Sequence, residues 1–410
     1  MKNFLKISAV ILSVIIVIGA ASYVIIRQKY FGGKFAQKPQ TITENDFLSV
    51  KDTYLINKND EKVKLYGTNL GGWLIQENWM CPVTGEDKKW ANLNTIEVFQ
   101  ERGFSEEQIN TLFKTYQDNW ITENDIKTIS ENGMNCIRVP FWYRNFMTGT
   151  NGEWINDDFS QNPGFIKLDW VIEKAQKYGL YVILDMHGCP GGQSLDHTTG
   201  TLNKNELYTD EENQNTMKKL WVEIAERYKG NPTVAAYDIM NEPQNNAGYD
   251  GENYYDPWES TSWELTNKIY DIMIKAIRDV DSEHIITVEG IWQVSNLPSP
   301  KTADWDNMMY QVHLYDDTKG FKKNTNILKK YMLKYKVAGY VGEFNNPDGK
   351  AILGSSNINY TSWTYKGVNS DNNSFFMYSG TVDKVNPYTD SYEEILSKWG
   401  DPIKTENFLK

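Results

Sequence analysis

Eight short runs rich in β-branched and aromatic residues recur along the chain, at 64–70, 136–141, 181–186, 233–240, 284–289, 309–314, 339–344 and 360–365. Between them fall stretches with the spacing of amphipathic helices, among them 107–115, 168–178, 215–228 and 263–280. Strands joined by helical crossovers lie parallel, and such a sheet must be covered by its own helices. Eight strand–helix units are the number that closes a (β/α)8 TIM barrel, whose chemistry gathers at the C-terminal ends of the strands. A chain of 410 residues suffices for one such barrel with extensions.

The extensions lie at the N-terminus. Lys2 and Lys6 precede an uncharged apolar run over 7–26. Twenty helical residues reach about 30 Å, enough to cross a bilayer core. The run continues past the small residues Gly19, Ala20 and Ala21 into Tyr23-Val24-Ile25-Ile26, which favours an uncleaved anchor over a signal peptide. The domain reading is a cytoplasmic tail at 1–6, a transmembrane anchor at 7–26, a polar linker at 27–50 and a catalytic barrel at 51–410. Arg27, Lys29, Lys34 and Lys38 follow the span, so a count of positive charge opposes export. The expected placement is nevertheless a single-pass cell-membrane protein with an extracellular barrel, because the inferred substrate lies there. Tyr54-Leu55-Ile56 and Val63-Lys64-Leu65-Tyr66 flank Asn57-Lys58-Asn59-Asp60, a hairpin signal ahead of the barrel.

Composition narrows the partners. A net charge of −12 offers no basic stripe for nucleic acid. Fourteen Trp and 25 Tyr suit a cleft that stacks against sugar rings, although aromatics also fill cores. The three cysteines, Cys81, Cys136 and Cys189, form no zinc or disulfide pattern, and a bridge between Cys81 and Cys189 stays open. No third His or Cys stands at ligand-like spacing, so neither metal nor organic cofactor is expected.

The chemistry is read from the strand ends. The fourth strand ends in Asn241-Glu242-Pro243 and the seventh in Gly342-Glu343-Phe344. Two carboxyl groups thus face one barrel mouth, the equipment that glycosidic cleavage needs: one to protonate the leaving oxygen, the other to attack the anomeric carbon. Pro243 cannot continue a ladder and so fixes where Glu242 projects. Arg138, inside the apolar run Cys136-Ile137-Arg138-Val139-Pro140, needs a buried anionic partner, and Glu343 is the natural one. Of four histidines, His187 and His313 stand at strand ends. Trp363 ends the eighth strand, placed to form a stacking floor.

Together these residues resemble glycoside hydrolase family five, the cellulase-type family of retaining enzymes, over roughly residues 50–400. The motifs run in order: Asn69-Leu70-Gly71-Gly72-Trp73-Leu74, Arg138-Val139-Pro140, His187-Gly188, Asn241-Glu242-Pro243, His313-Leu314-Tyr315, Gly342-Glu343-Phe344 and Trp363. The resemblance implies Glu242 as acid/base, Glu343 as nucleophile and Asn241 on the sugar 2-hydroxyl. It also implies Tyr315 bonded to the nucleophile, Arg138, His187 and His313 supporting the substrate subsite, and Trp363 beneath the sugar. The segment 69–79 and His187-Gly188-Cys189-Pro190-Gly191-Gly192-Gln193 are similar to the branch of exo-β-1,3-glucanases and β-glucosidases, where a Glu at the position of Glu77 grips the terminal glucose. Ser194 and Arg144 depart from that branch and would line the pocket or its rim. The expected substrate is a β-glucan, β-1,4 or β-1,3 linked, on a cell-surface or exported polysaccharide. A glycolipid hydrolase with Trp142, Phe146 and Trp292 as an apolar rim, a transglycosylase and an inactive carbohydrate-binding scaffold are the alternatives.

Overall fold

The structure, a computed structural model, describes residues 34–86, 89–149, 151–245, 260–291, 293–370 and 373–408. The tail and apolar span at 1–26 lie outside them. Among the described residues no helix is long and apolar enough to cross a membrane.

Eight parallel strands close a barrel. They are β1 (Tyr66–Asn69), β2 (Cys136–Trp142), β3 (Tyr181–Gly188), β4 (Val234–Asp238), β5 (Ile285–Glu289), β6 (Met308–Leu314), β7 (Ala338–Phe344) and β8 (Asn359–Ser362). Each pairs with the next, and β8 returns to β1 through Tyr360 opposite Tyr66. All eight coincide with the expected runs to within a few residues. The helices start where capping residues allow: Ser105 Oγ accepts the Gln108 amide at the head of Glu106–Trp120, and Thr122 does the same for Asp125 ahead of Glu123–Glu131. Their apolar faces, with Leu112, Ile126, Leu168, Leu220 and Ile274, bury against the outer faces of the strands.

The floor of the barrel corrects two expectations. The stretch read as a polar linker is docked in its described part: Ile42 and Leu48 are buried, and the Ile42 amide donates to the Gln176 carbonyl. Ile42, Leu48, Leu55 and Val63 join Cys136, Tyr181, Ile183, Ile285 and Met309 in one apolar cluster, so this segment plugs the N-terminal ends of the strands. Three buried apolar side chains, Ile42, Phe47 and Leu48, anchor this polar stretch. The hairpin is present, but its second strand is Lys62–Val63 and stops short of Tyr66, and Ser49–Lys51 pairs antiparallel on the other side of Tyr54–Ile56 as a third strand. Asn57 makes the turn, its side-chain oxygen accepting the amides of Asn59 and Glu61. Lys64 leaves the hairpin because its ammonium donates to the carbonyls of Leu353 and Ser356 beneath the barrel.

Glu343 depends on an irregularity. With Tyr340 pointing inward, strict alternation would turn residue 343 outward. A shift of register between Val312 and His313 sets His313 opposite Glu343 and returns that carboxylate to the interior. Gly342 fits there because a Cβ would stand 2.6 Å from Gln311 Oε1. All three cysteines are free and buried, with no bridge between Cys81 and Cys189. Cys81 Sγ lies against the Glu77 amide, and Cys189 Sγ against the Met186 carbonyl.

Candidate active site

A cavity of about 370 Å³ opens at the C-terminal mouth of the barrel, bordered by Glu77, His187, Asn241, Glu242, Glu343 and Trp363 among others. A larger groove of about 1110 Å³ runs outside the barrel beside Trp73 and Trp142, but its acids Glu106 and Glu107 are exposed helix-surface residues. Chemistry, rather than size, selects the mouth.

Beneath the cavity lies Arg138, fully buried in β2. Its Nη1 is 2.8 Å from Glu343 Oε1, its Nε 2.8 Å from Asp238 Oδ2, and its Nη2 3.0 Å from Asp185 Oδ1. Nη2 also donates to Asn241 Oδ1 at 2.9 Å and Nη1 to Asn69 Oδ1 at 3.1 Å. The expected pairing with Glu343 is therefore present, inside a larger cluster. Burial alone would lower the guanidinium pKa, yet Asp185, Asp238 and Glu343 raise it, so the charge is fixed. Burial pushes the Asp185 and Asp238 carboxyls up to about 7 and about 6 against the pull of Arg138. Tyr315 Oη donates to Glu343 Oε2 at 2.6 Å. With one oxygen on Arg138 and the other on Tyr315, the Glu343 carboxylate is held in a single orientation.

Glu242 stands in a different environment. Burial raises its carboxyl to about 7, partly offset by His187 and Arg138. His313 Nδ1 lies 2.8 Å from Glu242 Oε1. Burial holds the His313 ring near 3 and the His187 ring near 4, so both imidazoles are neutral at physiological pH. One carboxyl thus faces a fixed guanidinium charge while burial keeps a proton on the other, the kind of asymmetry that sets a nucleophile apart from a general acid.

Glu77 is buried at the cavity wall, where burial raises its carboxyl to about 7 and Trp79 Nε1 donates to it at 2.7 Å. His187 Nδ1 pairs with Asp185 at 2.8 Å, and its ring stacks on Trp363 with centroids 5.5 Å apart and planes within 9°. Trp363 is thereby locked as a flat wall. Its neighbours are aromatic too: Trp79 packs on Phe375 and Phe376, and Tyr315 on Phe375.

Seven expected residues therefore line one cavity: Glu77, His187, Asn241, Glu242, Tyr315, Glu343 and Trp363. Arg138 and His313 sit below it and act on the carboxylates. Ser194 and Arg144 do not line it. The Ser194 hydroxyl accepts the Asp196 amide, and Arg144 stacks over Trp142 at the outer groove. Trp142 and Phe146 are core residues rather than a rim, and Trp292 lies outside the described residues. Sequence reasoning missed Asp185, Asp238 and Glu289, whose signal was an acid inside an otherwise apolar strand. It also missed Phe375, which reaches the cavity from a loop and left no signal.

Oxygens of Glu242 and Glu343 and a ring nitrogen of His313 lie within 4.8 Å of one another, a spacing that could surround a cation. The donors are already engaged, and the Arg138 guanidinium 2.8 Å from Glu343 repels a second positive charge.

Paired carboxyl groups with opposed environments at the mouth of a (β/α)8 barrel are the arrangement of a glycosidase. The model of the cellulase family, glycosyl hydrolase family 5, matches residues 85–384, and the chain belongs to that family. A beta-xylosidase of Phanerodontia chrysosporium is 29% identical over 274 residues, 66% of this chain and 52% of that protein. A glucan 1,3-beta-glucosidase of Blumeria graminis is 30% identical over 206 residues, 49% of this chain and 46% of that protein. The chain thus spans about half the length of these two relatives. Endoglucanase C of Acetivibrio thermocellus is 27% identical over 307 residues, 71% of each chain. The rutinosidase structure from Aspergillus niger has a TM-score of 0.57 at 18% identity, covering 74% of this chain and 90% of that one, a likeness of fold.

Proposed function

We propose that this chain is a retaining glycoside hydrolase that cleaves β-glucosidic bonds in a β-glucan by double displacement. The observation that carries the reading is the carboxylate spacing. Oxygens of Glu242 and Glu343 lie within 4.8 Å of each other. Retaining enzymes hold their carboxyl groups about 5–5.5 Å apart, whereas inverting ones leave about 6.5–9.5 Å for a water. Glu343, oriented by Arg138 and Tyr315, attacks the anomeric carbon while Glu242 gives its proton to the leaving oxygen. Glu242, now a carboxylate, takes a proton from water, which attacks the anomeric carbon and releases Glu343. Asn241 meets the sugar 2-hydroxyl, Trp363 stacks beneath the ring, and Glu77 with Trp79 grips the terminal glucose. The names of the glucanase relatives support the β-glucan.

The apolar run at 7–26 supports a further proposal: the enzyme is tethered in the cell membrane with its barrel outside, where it trims a cell-surface or exported polysaccharide. Protease accessibility on intact cells tests the orientation, and an unchanged surface polymer after deletion sinks the processing role.

The test of activity is reducing-sugar release by the full chain in detergent, beside Glu343→Gln, on cellulosic, mixed-linkage, β-1,3-glucan, mannan and xylan substrates. Cleavage of one β-glucan with a dead variant is expected, and product sizes then separate exo from endo action. If no polymer is cleaved, the β-glucan reading fails. The aromatic wall of Trp79, Tyr315 and Phe375 makes a glycolipid the next substrate to try.

A further inference from the structure

Glu289 ends β5 with its side chain fully buried, and the double displacement makes no use of it. One of its two oxygens is bonded to the neighbouring acid Glu242. Oε2 accepts the backbone amide of Glu242 at 2.7 Å. Oε1 stands 3.3 Å from His313 Nδ1, and the same nitrogen is 2.8 Å from Glu242 Oε1. Oε1 makes no hydrogen bond there, so Glu289 binds residue 242 through its backbone amide and only packs against the histidine that meets its carboxyl.

Residue 242 needs such a clamp. Its φ is +41°, in the left-handed region that a side chain other than glycine's enters at a cost. β4 ends at Asp238, so no ladder partner fixes the peptide at 242. Its neighbours are anchored elsewhere, Asn241 N to the Met186 carbonyl and Gln244 N to the Gln193 carbonyl. Glu289 is in turn pinned from behind: Tyr270 Oη donates to its carbonyl at 3.0 Å and accepts its amide at 3.1 Å. Gln311 Nε2 approaches Oε2 at 3.4 Å.

Resting on the glycosidase reading, we infer that Glu289 is a positioning residue for proton transfer: it locks the backbone of Glu242 and with it the direction in which the acid/base carboxyl points. It touches no substrate atom. Burial raises its carboxyl well above the ordinary range, and a neutral carboxyl can accept the amide without repelling the Glu242 carboxylate of the second step.

The experiment measures kcat/KM of the full chain in detergent on two aryl β-glucosides. A 2,4-dinitrophenyl glucoside has a leaving group that departs without a proton, while a phenyl glucoside needs one. Wild type should cleave both. Glu289→Ala should lose about a hundredfold on the phenyl substrate, the lower end of what general acid catalysis supplies, and only a few-fold on the dinitrophenyl one. Glu289→Gln keeps an acceptor oxygen and should recover most of that loss. Tyr270→Phe, which loosens Glu289 from behind, should show the same selectivity in smaller measure and serves if the alanine variant does not fold. Equal losses on both substrates, or glutamine no better than alanine, overturn the proposal alone. A wild type inactive on both overturns the glycosidase reading and the proposal with it.

Discussion

Replacing Glu242 by Gln should abolish turnover and stabilise the protein at neutral and alkaline pH but not in acid. Burial raises the Glu242 carboxyl from 4.5 to about 7 in the folded chain. A carboxyl raised in this way bears no penalty below about pH 4.5, where it is protonated folded or unfolded. The folded state loses stability progressively from there, and above about pH 7 the ionised group costs its full amount. At 1.36 kcal/mol per pH unit that amount is about 3 kcal/mol, and about 2–3 kcal/mol once partial solvation is allowed for. The side chain keeps 19% of its area exposed, which motivates the discount. Glutamine never ionises, so the variant avoids the penalty. With roughly 2.1 cal/mol/K of unfolding entropy per residue, the gain is about 2–4 °C in Tm at pH 8 and nothing at pH 4.5. Asp185 and Glu289, both raised by the Glu242 charge, add to the gain with the same sign. Thermal denaturation followed by circular dichroism at the two pH values measures it. An equal difference at both, or a variant less stable at pH 8, would refute the claim that desolvation sets the acid.

Wild-type kcat/KM should fall about tenfold per pH unit above about 7, as Glu242 loses the proton that the proposed mechanism has it donate, and a pH–rate profile reads this directly. Arg138→Met strands three buried carboxylates and should cost about 3–5 kcal/mol in urea denaturation. The loss should shrink near pH 5, where Asp185 and Asp238 protonate. Glu77→Gln should raise KM for oligosaccharides about tenfold with a smaller change in kcat, as the proposed role of its carboxyl is to grip substrate and not to take part in bond cleavage. Gly67→Ala should yield little soluble protein, since the new Cβ would stand 1.7 Å from the Cys136 carbonyl oxygen.

Legibility followed burial. Strands inside a parallel barrel are apolar on both faces, so each read as a continuous run, and an acid or a cation within such a run stood out. Arg138 and Glu343 were legible for that reason, and Glu242 because Pro243 marks where the chain leaves the strand. Asp185, Asp238 and Glu289 carried the same signal, but a lone carboxyl in a strand does not say which cation or amide it will meet. Phe375 and Trp79 come from segments without periodicity, and nothing local announces that they will face a cavity. The 34–50 stretch misled because its few apolar residues are diluted among polar ones, and only the barrel floor gives them something to cover.

By itself the sequence determined the alternation of strands and helices, the barrel that alternation closes, and the placing of two glutamates at strand ends. Those properties are local: side-chain periodicity, chain-breaking prolines and capping residues act within a few residues of themselves. Only the tertiary structure decided that the register shift at β6–β7 turns Glu343 inward and that Arg138 serves three carboxylates at once. It also decided that Glu289 reaches across to the Glu242 amide. The contacts join groups 47 to 205 residues apart, and the register shift is finer than a period of two can show. Their energies depend on distance and on exclusion of water, quantities that exist only once the barrel has closed.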